Sequence, residues 1–572
     1  MGKTQQPDSG GPEGSASARQ AAAFVDGLLG GGAADFVVSP GSRSTPLVLA
    51  LARDRRARVR VILDERSAAF FGLGLADRTH RPVGLVCTSG TAVANYLPAV
   101  VEAWQRRVPL LVLSADRPPE LRDCGAGQTI DQVGIFGRFV RWAADASAPP
   151  GAEGERYLAG LAREGLRAAL DPVPGPVHFN LPFREPFLPA APRRGSGSPE
   201  PLARSAGPVS GIDWEAVRAE GPGWIAAGAA NPADPAAWAD GLFRLSDFLG
   251  WPVLCDVLNP GRHAPGAAER VVTQYEGLLS AEELPAPAPR AVLQVGALPT
   301  AKSLRRWLDG FRGPRWQWSA DPACLDPSRS GAAWLRGDPS GLGPLSGRFP
   351  DDSFRREWML RERAARTRIE AWMGDLPDSF EGKVHWRISR AIPAAAQVFI
   401  ANSQPVRDAE RFWFAGRPRG PRVFSSRGAS GIDGLVSTAA GLADGGPPTV
   451  AVLGDLAFLH DCGGLRAARD IRGSLTLVVI DNGGGRIFGQ LPVAAEADVF
   501  ETYFLTPQKV DPVLLCRAHG IEVVRSGPGN PLADLLGSPP EGARVVLAGT
   551  DPSADAALRR EWRELFESPG SP

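Results

Sequence analysis

Short apolar runs recur along this chain, and each stops at a cluster of Gly, Pro, Ser, Asp or Asn before a stretch of helical periodicity begins. This alternation constrains the fold more than any other feature. An apolar run without polar alternation reads as a strand buried on both faces. Such strands, separated by helices, build a parallel doubly wound sheet. The runs at 36–38, 59–63, 83–88, 110–114 and 176–180 predict one sheet. Those at 224–227, 253–256 and 291–295 predict a second, and those at 398–401, 422–425, 450–453, 475–480 and 544–548 a third. Helices are expected at 21–29 and 354–373. The fold class is therefore α/β, with three doubly wound parallel-sheet domains. The first and third groups of runs share a layout.

A length of 572 residues suits about three domains. Residues 1–17, rich in Gly, Ser and Pro, read as a disordered tail. The first domain is expected at 18–190, a Pro-, Gly-, Ser- and Arg-rich linker at 191–211, a central domain at 212–350 and a third domain at 351–572. Net charge is zero, which argues against nucleic acid or an anionic membrane as partner. No stretch reaches the 18 apolar residues of a membrane span, and the N-terminus has no apolar signal core. Cys87, Cys124, Cys255, Cys324, Cys462 and Cys516 are scattered, as reduced thiols in a cytoplasm would be. The six histidines form no metal-spaced cluster. Only Lys3, Lys302, Lys383 and Lys509 are lysine among the basic residues, a bias that reads as coding composition.

Two strand ends in the third domain carry oxygen donors. Val452-Leu453-Gly454-Asp455-Leu456 ends one run in Gly-Asp, and Asp481-Asn482-Gly483-Gly484-Gly485 ends the next. Ligands bind beyond the carboxyl ends of strands in open α/β sheets. Mg²⁺ favours oxygen ligands and keeps room for phosphate oxygens. The glycines let backbone approach a diphosphate and free a carbonyl for the metal. The Asp-to-Asn spacing of 27 residues (455 to 482) resembles the thiamine-diphosphate motif of decarboxylases and ketolases, which opens Gly-Asp-Gly and closes Asn-Asn. Here the motif reads Gly-Asp-Leu and Asp-Asn.

Other stretches sharpen the resemblance. Ser39-Pro-Gly-Ser-Arg-Ser-Thr-Pro-Leu47, Asp64-Glu-Arg66, Ser114-Ala-Asp-Arg-Pro-Pro-Glu-Leu-Arg122, residues 175–187, Ser426-Arg-Gly-Ala-Ser-Gly-Ile-Asp-Gly434 and Gly454-Asp-Leu-Ala-Phe-Leu-His460 appear together and in order. Together they are similar to the 2-succinyl-5-enolpyruvyl-6-hydroxy-3-cyclohexene-1-carboxylate synthases of menaquinone biosynthesis. The resemblance implies three domains of the thiamine-diphosphate-dependent decarboxylase type: pyrimidine-binding, central, and diphosphate- and Mg-binding. It also implies the cofactors, thiamine diphosphate with Mg²⁺ or Mn²⁺. The implied reaction decarboxylates 2-oxoglutarate and adds the succinyl unit to isochorismate. A homodimer or dimer of dimers is implied as well.

Residue roles follow from the same resemblance. Glu65 is the catalytic carboxyl that drives the cofactor's aminopyrimidine to its imino tautomer. That task needs a water-poor setting, where a carboxyl holds its proton more tightly. Glu65 follows the apolar run Val61-Ile62-Leu63, which predicts such a setting. Asp455, Asn482 and the Gly484 carbonyl hold the metal. Ile432 is the apolar wedge that bends the cofactor, and Gly454, Ile487, Phe488 and Leu491 line the site. Both substrates are poly-anions, so cations and hydroxyls are needed, and Arg offers bidentate recognition. Ser42, Arg43, Arg117, Gln128, Lys302, Ser403, Arg407 and Arg427 fall at the substrate positions. Two family residues, an Asn and an Arg, are replaced by Gly127 and Ser303. The alternatives are an acetolactate-synthase-like carboligase acting on pyruvate, and a non-catalytic relative acting as a binding protein.

Overall fold

The computed structural model describes residues 16–188, 212–281, 284, 287–323, 325–327, 332–345, 351–416 and 420–567. Most of the expected tail and the whole expected linker lie outside them. The first helix, Ala16–Gly30, takes in the last two residues assigned to the tail.

Among the described residues eighteen strands form three six-stranded sheets, every strand pair parallel. The first sheet contains β1 (Asp35–Val38), β2 (Arg58–Val61), β3 (Val83–Cys87), β4 (Leu110–Asp116), β5 (Trp142–Asp145) and β6 (Val177–Pro182). The second holds β7 (Gly223–Ala227), β8 (Val253–Cys255), β9 (Val271–Val272), β10 (Ala291–Val295), β11 (Arg315–Ser319) and β12 (Ala333–Arg336). The third holds β13 (Gln397–Ile400), β14 (Arg422–Phe424), β15 (Thr449–Gly454), β16 (Ser474–Asp481), β17 (Glu522–Arg525) and β18 (Gly542–Gly549).

The first sheet runs β2-β1-β3-β4-β6-β5 and the third β14-β13-β15-β16-β18-β17. The two orders are the same, position for position, so the shared layout expected from the runs is a shared topology. The chain reverses direction across the sheet between β1 and β3, and between β13 and β15. A crevice opens beyond the strand ends at such a reversal. The second sheet runs β12-β11-β10-β7-β8-β9, with its reversal between β7 and β10. There the loops close on each other, because a Cβ at Gly228 would stand 1.9 Å from the Ala297 carbonyl oxygen.

The described residues group into two compact units. One comprises those of Met1–Ser205 with Ser426–Asp444 and Asp461–Asp470. The other comprises those of Ala206–Ser425, Gly445–His460 and Ile471–Pro572. The grouping cuts across the expected third domain, 351–572. Two segments of 351–572 belong with the first sheet instead.

The reason is visible in the first unit. Helix Leu435–Ala443 lies against helix Glu65–Thr79 at backbone distance. A Cβ at Gly74 would be 2.1 Å from Thr438 O, and one at Gly441 would be 2.0 Å from Phe71 O. Only glycines allow helices that close. Arg60 pairs with Asp444, and Arg78 Nη2 donates to Asp444 O at 2.8 Å, fixing the end of the second helix. The sheet's core is aliphatic and aromatic, with Phe24, Val86, Leu113 and Phe179 fully enclosed.

In the second unit the core includes polar groups. Arg262, on helix Pro260–His263, donates to Glu410 Oε1 at 2.9 Å and to the Trp413 carbonyl at 2.6 Å. This joins the segment after β8 to helix Gln404–Phe412. His385 is fully buried with neither ring nitrogen hydrogen-bonded among the described residues. Burial pushes its pKa from 6.5 down to about 4. A folded value below the unfolded one means that the neutral ring's contribution is complete above pH 6.5. It is lost as pH falls toward 4, by on the order of 3 kcal/mol. We therefore expect His385→Phe to gain on wild type by roughly that amount between pH 7 and pH 4 in chemical denaturation. A stability gap that does not change with pH would overturn the expectation.

Candidate active site

In the first unit, substrate candidates gather where β1, β3 and β4 end. Thr45 donates to the Ser42 carbonyl through both its amide, at 3.1 Å, and its hydroxyl, at 2.7 Å. This turns the loop after β1 and leaves Ser42 exposed. The next residue, Arg43, donates from Nη1 to the Phe183 carbonyl at 3.0 Å, and its guanidinium lies 4.7 Å from the Phe187 ring centre. Glu185 is a looser partner at 3.7 Å. Arg117 donates to the Ser89 hydroxyl, and Gln128 Nε2 donates to the Ser89 carbonyl at 3.0 Å. Ser89 therefore holds both side chains in one place. Burial first, and then the charge of Arg117, lower the pKa of Arg43. The charges of Glu185 and Asp116 act in the opposite sense.

Ser89 was not among the candidates, although Ser89-Gly90 directly follows a buried strand. Glu102 was missed as well. Its carboxylate accepts from Gly428 N at 2.9 Å and Ala429 N at 2.6 Å, anchoring the loop that carries Arg427 and Ile432. Both of those side chains are half-buried. Nothing local in the sequence marks Glu102, since its partners lie more than 320 residues away (|i−j| of 326 and 327).

Glu65 opens helix Glu65–Thr79, whose N-cap Asp64 accepts from the amides of Arg66 and Ser67. The expected burial is not met inside this unit. Glu65 is half-buried, and Val61 and Leu63 before it are 69% and 57% exposed. The cause is local: β2 is an edge strand, and its end faces outward. Its charge is felt in the buried core behind it. After burial itself, Glu65 is among the charges that raise Cys87 and Tyr96.

In the second unit, Asp455 and Asn482 come from neighbouring strands, since β15 and β16 pair Gly454 with Ile480. Asp455 Oδ1 accepts from Leu456 N at 2.7 Å and Oδ2 from Gly484 N at 2.7 Å. Burial raises the Asp455 carboxyl, opposed by these amides. Asn482 is buried, and its Oδ1 has no hydrogen-bond partner among the described residues. Gly484 has φ +125°, and a Cβ there would meet Leu505 O at 2.2 Å. A desolvated carboxylate, an orphaned amide oxygen and a glycine-only turn fit a hard divalent cation. No trio of His, Cys, Asp or Glu gathers as a metal set among the described residues.

Ser403 sits at φ +71° before helix Gln404–Phe412, and Arg407 donates to its carbonyl. These two candidates are thus brought together. Ile487 and Phe488 lie on the short turn Arg486–Gln490, with Leu491 after it. Phe488 and Leu491 are 37% and 41% exposed, so they are not core packing. Lys302 stands apart. It is exposed at the start of helix Lys302–Gly310 beyond β10, with no ion pair among the described residues.

Comparisons with known proteins show the family and the fold. The description "Thiamine pyrophosphate enzyme, N-terminal TPP binding domain" matches residues 19–135, and "Thiamine pyrophosphate enzyme, C-terminal TPP binding domain" matches 404–538. The fold is similar to that of benzoylformate decarboxylase from Polynucleobacter necessarius, with a TM-score of 0.66 at 16% identity, over 93% of this chain and 98% of that one. A 2-succinyl-5-enolpyruvyl-6-hydroxy-3-cyclohexene-1-carboxylate synthase of Synechococcus sp. (strain JA-3-3Ab) is 43% identical over 94% of each chain. Its counterpart in Microcystis aeruginosa is 40% identical over 92% of this chain and 94% of its own. With that identity sustained over nearly the whole length, the chain belongs to the 2-succinyl-5-enolpyruvyl-6-hydroxy-3-cyclohexene-1-carboxylate synthase family of thiamine pyrophosphate enzymes.

Proposed function

We propose that this chain decarboxylates 2-oxoglutarate on thiamine diphosphate and transfers the succinyl unit to isochorismate. The products are 2-succinyl-5-enolpyruvyl-6-hydroxy-3-cyclohexene-1-carboxylate and carbon dioxide, a step of menaquinone biosynthesis. The observation that carries the reading is the likeness to synthases of that name across more than nine-tenths of the chain. When bound, thiamine diphosphate supplies the carbon nucleophile that 2-oxo acid decarboxylation requires.

The residues take these parts. Asp455, Asn482 and the Gly484 carbonyl hold Mg²⁺, or Mn²⁺ in its place. Gly454 leaves room beside them, since nothing stands within 4 Å of a Cβ built there. Ile432, Ile487 and Phe488 exclude water from the cofactor. Glu65 holds a proton against the pyrimidine ring. Ser42, Arg43, Arg117, Gln128, Lys302, Ser403, Arg407, Arg427 and Leu491 receive the substrates. The enzyme works in the cytoplasm as a homodimer or a pair of dimers, and a monomer at micromolar concentration in sedimentation equilibrium would overturn the assembly. Incubation with thiamine diphosphate, Mg²⁺, 2-oxoglutarate and isochorismate should yield the adduct by mass. Its absence, with pyruvate turned over instead, would favour an acetolactate-synthase-like carboligase.

Each of Arg43→Ala, Arg117→Ala, Arg407→Ala and Arg427→Ala should remove one charge-assisted contact, costing roughly 1.5–3 kcal/mol. That weakens one substrate by about 10- to 150-fold. Cofactor affinity should not move. If kcat/KM for both substrates survives all four substitutions, the anion site is wrong.

A further inference from the structure

Asn482 presents its amide oxygen away from Glu381, and the reason is a buried acid that none of the roles above uses. Asn482 Nδ2 donates to Glu381 Oε1, while Arg559 Nη2 donates to Glu381 Oε2 at 2.8 Å. Glu381 opens helix Glu381–Ala391 and is buried. Arg559 comes from the last helix, Pro552–Glu567, and is itself fixed by Asp408 at 2.5 Å and by Asp555. Both Glu381 oxygens thus face donors, Asn482 at one and Arg559 at the other, and the ionised carboxylate accepts at both. An Asn beside it must turn its NH₂ inward. The oxygen then points away, which is why Asn482 Oδ1 is left orphaned.

We propose that Glu381, held by Arg559, is a positioning residue that locks the Asn482 amide with its oxygen toward the metal. The proposal rests on the reading of Asn482 as a metal ligand. A side-chain amide in place of the Glu381 carboxylate can present either its NH₂ or its oxygen, so Asn482 would be free to flip. Outer partners that orient a ligand typically cost 10–100-fold in metal affinity when lost.

The test is a cycle of three variants: Glu381→Gln, Asn482→Asp and the double variant. Each is titrated calorimetrically with Mg²⁺ at saturating thiamine diphosphate, beside a thermal unfolding scan. Glu381→Gln should lose about 10–100-fold in Mg²⁺ affinity. Asn482→Asp should also lose affinity, because it sets one carboxylate against another. In the double variant the donor and acceptor exchange places: the new amide at position 381 donates to the new carboxylate at position 482, whose other oxygen faces the metal. The double variant should therefore bind Mg²⁺ more tightly than either single variant, a recovery that general loosening of the fold would not give. Wild-type Mg²⁺ affinity in Glu381→Gln would overturn the proposal, as would a folded double variant no better than the singles. Asn482→Ala separates the two levels. Undiminished Mg²⁺ binding there would remove Asn482 from the metal site, whereas a loss there without one in Glu381→Gln removes only the lock.

Discussion

Glu65→Gln should lower turnover by about 10²- to 10⁴-fold, the range for removing a positioned acid–base group, and leave Mg²⁺-dependent cofactor binding in place. The substitution keeps the volume of the side chain. It also keeps the helix start, because the cap is Asp64, whose side chain accepts from the amides of Arg66 and Ser67. What it removes is the carboxyl's capacity to take up and give back a proton. The first turn of helix Glu65–Thr79 also loses a favourable charge–dipole contact, worth about 0.3–1 kcal/mol. That is too little to unfold the unit and far less than the kinetic loss. Two measurements decide the role: steady-state kcat with both substrates, and calorimetric titration of thiamine diphosphate. Near-wild-type kcat would overturn the assignment. Low kcat together with lost cofactor binding would make Glu65 part of the pocket wall and not a proton holder.

The sequence made most of the buried strands legible, and the edge strands β2 and β14 with them, but left other edges obscure. Strands such as β3, β4 and β16 are enclosed on both faces, so they appear as unbroken apolar runs. β5, β12 and β17 lie at sheet edges with exposed positions, and at four residues each their apolar runs are too short to stand out. β11 was hidden differently. Arg315-Trp-Gln-Trp-Ser319 is an inner strand whose polar side chains find partners: Arg315 pairs with Asp326 at 3.6 Å, and Gln317 donates to Ala323 O at 3.3 Å. The site divided in the same manner. Asp455, Asn482 and Gly484 were readable because a strand end fixes where they stand. Ser89, Glu102 and Glu381 were not, because each acts through a partner distant in sequence. Glu381 meets Asn482 across 101 residues (|i−j| of 101), which no local pattern records. The expected seclusion of Glu65 failed because apolar neighbours in sequence do not guarantee cover at an edge strand.

Asp455→Ala should abolish metal-dependent cofactor binding without destabilising the empty protein, and the two halves of that expectation have different causes. The loss comes from the ligand set. Asn482 and a carbonyl are neutral donors, so Asp455 is the one anionic ligand proposed for the cation. Removing it should weaken Mg²⁺-dependent thiamine diphosphate binding by more than about 100-fold, beyond the cost of losing an outer partner. The retained stability comes from desolvation. Burial raises the Asp455 carboxyl above its ordinary value. A raised carboxyl contributes stability below its unfolded pKa and gives it up as pH rises through the folded value, so at pH 7 the ionised group works against the fold. Its removal is offset by leaving the amides of Leu456 and Gly484 without their acceptor, at about 1–3 kcal/mol for a buried group. The unfolding midpoint of the empty variant should therefore lie close to that of the wild type. Binding at 100 times Kd stabilises a folded protein by about 2.7 kcal/mol, so adding thiamine diphosphate with Mg²⁺ should raise the wild-type midpoint and leave that of Asp455→Ala unmoved. Asp455→Asn, which keeps an oxygen without the charge, should fall between them. A midpoint that rises equally in wild type and Asp455→Ala would place the metal elsewhere. An empty variant that unfolds well below wild type would mean Asp455 serves the turn between β15 and helix Asp455–His460 and not the cation.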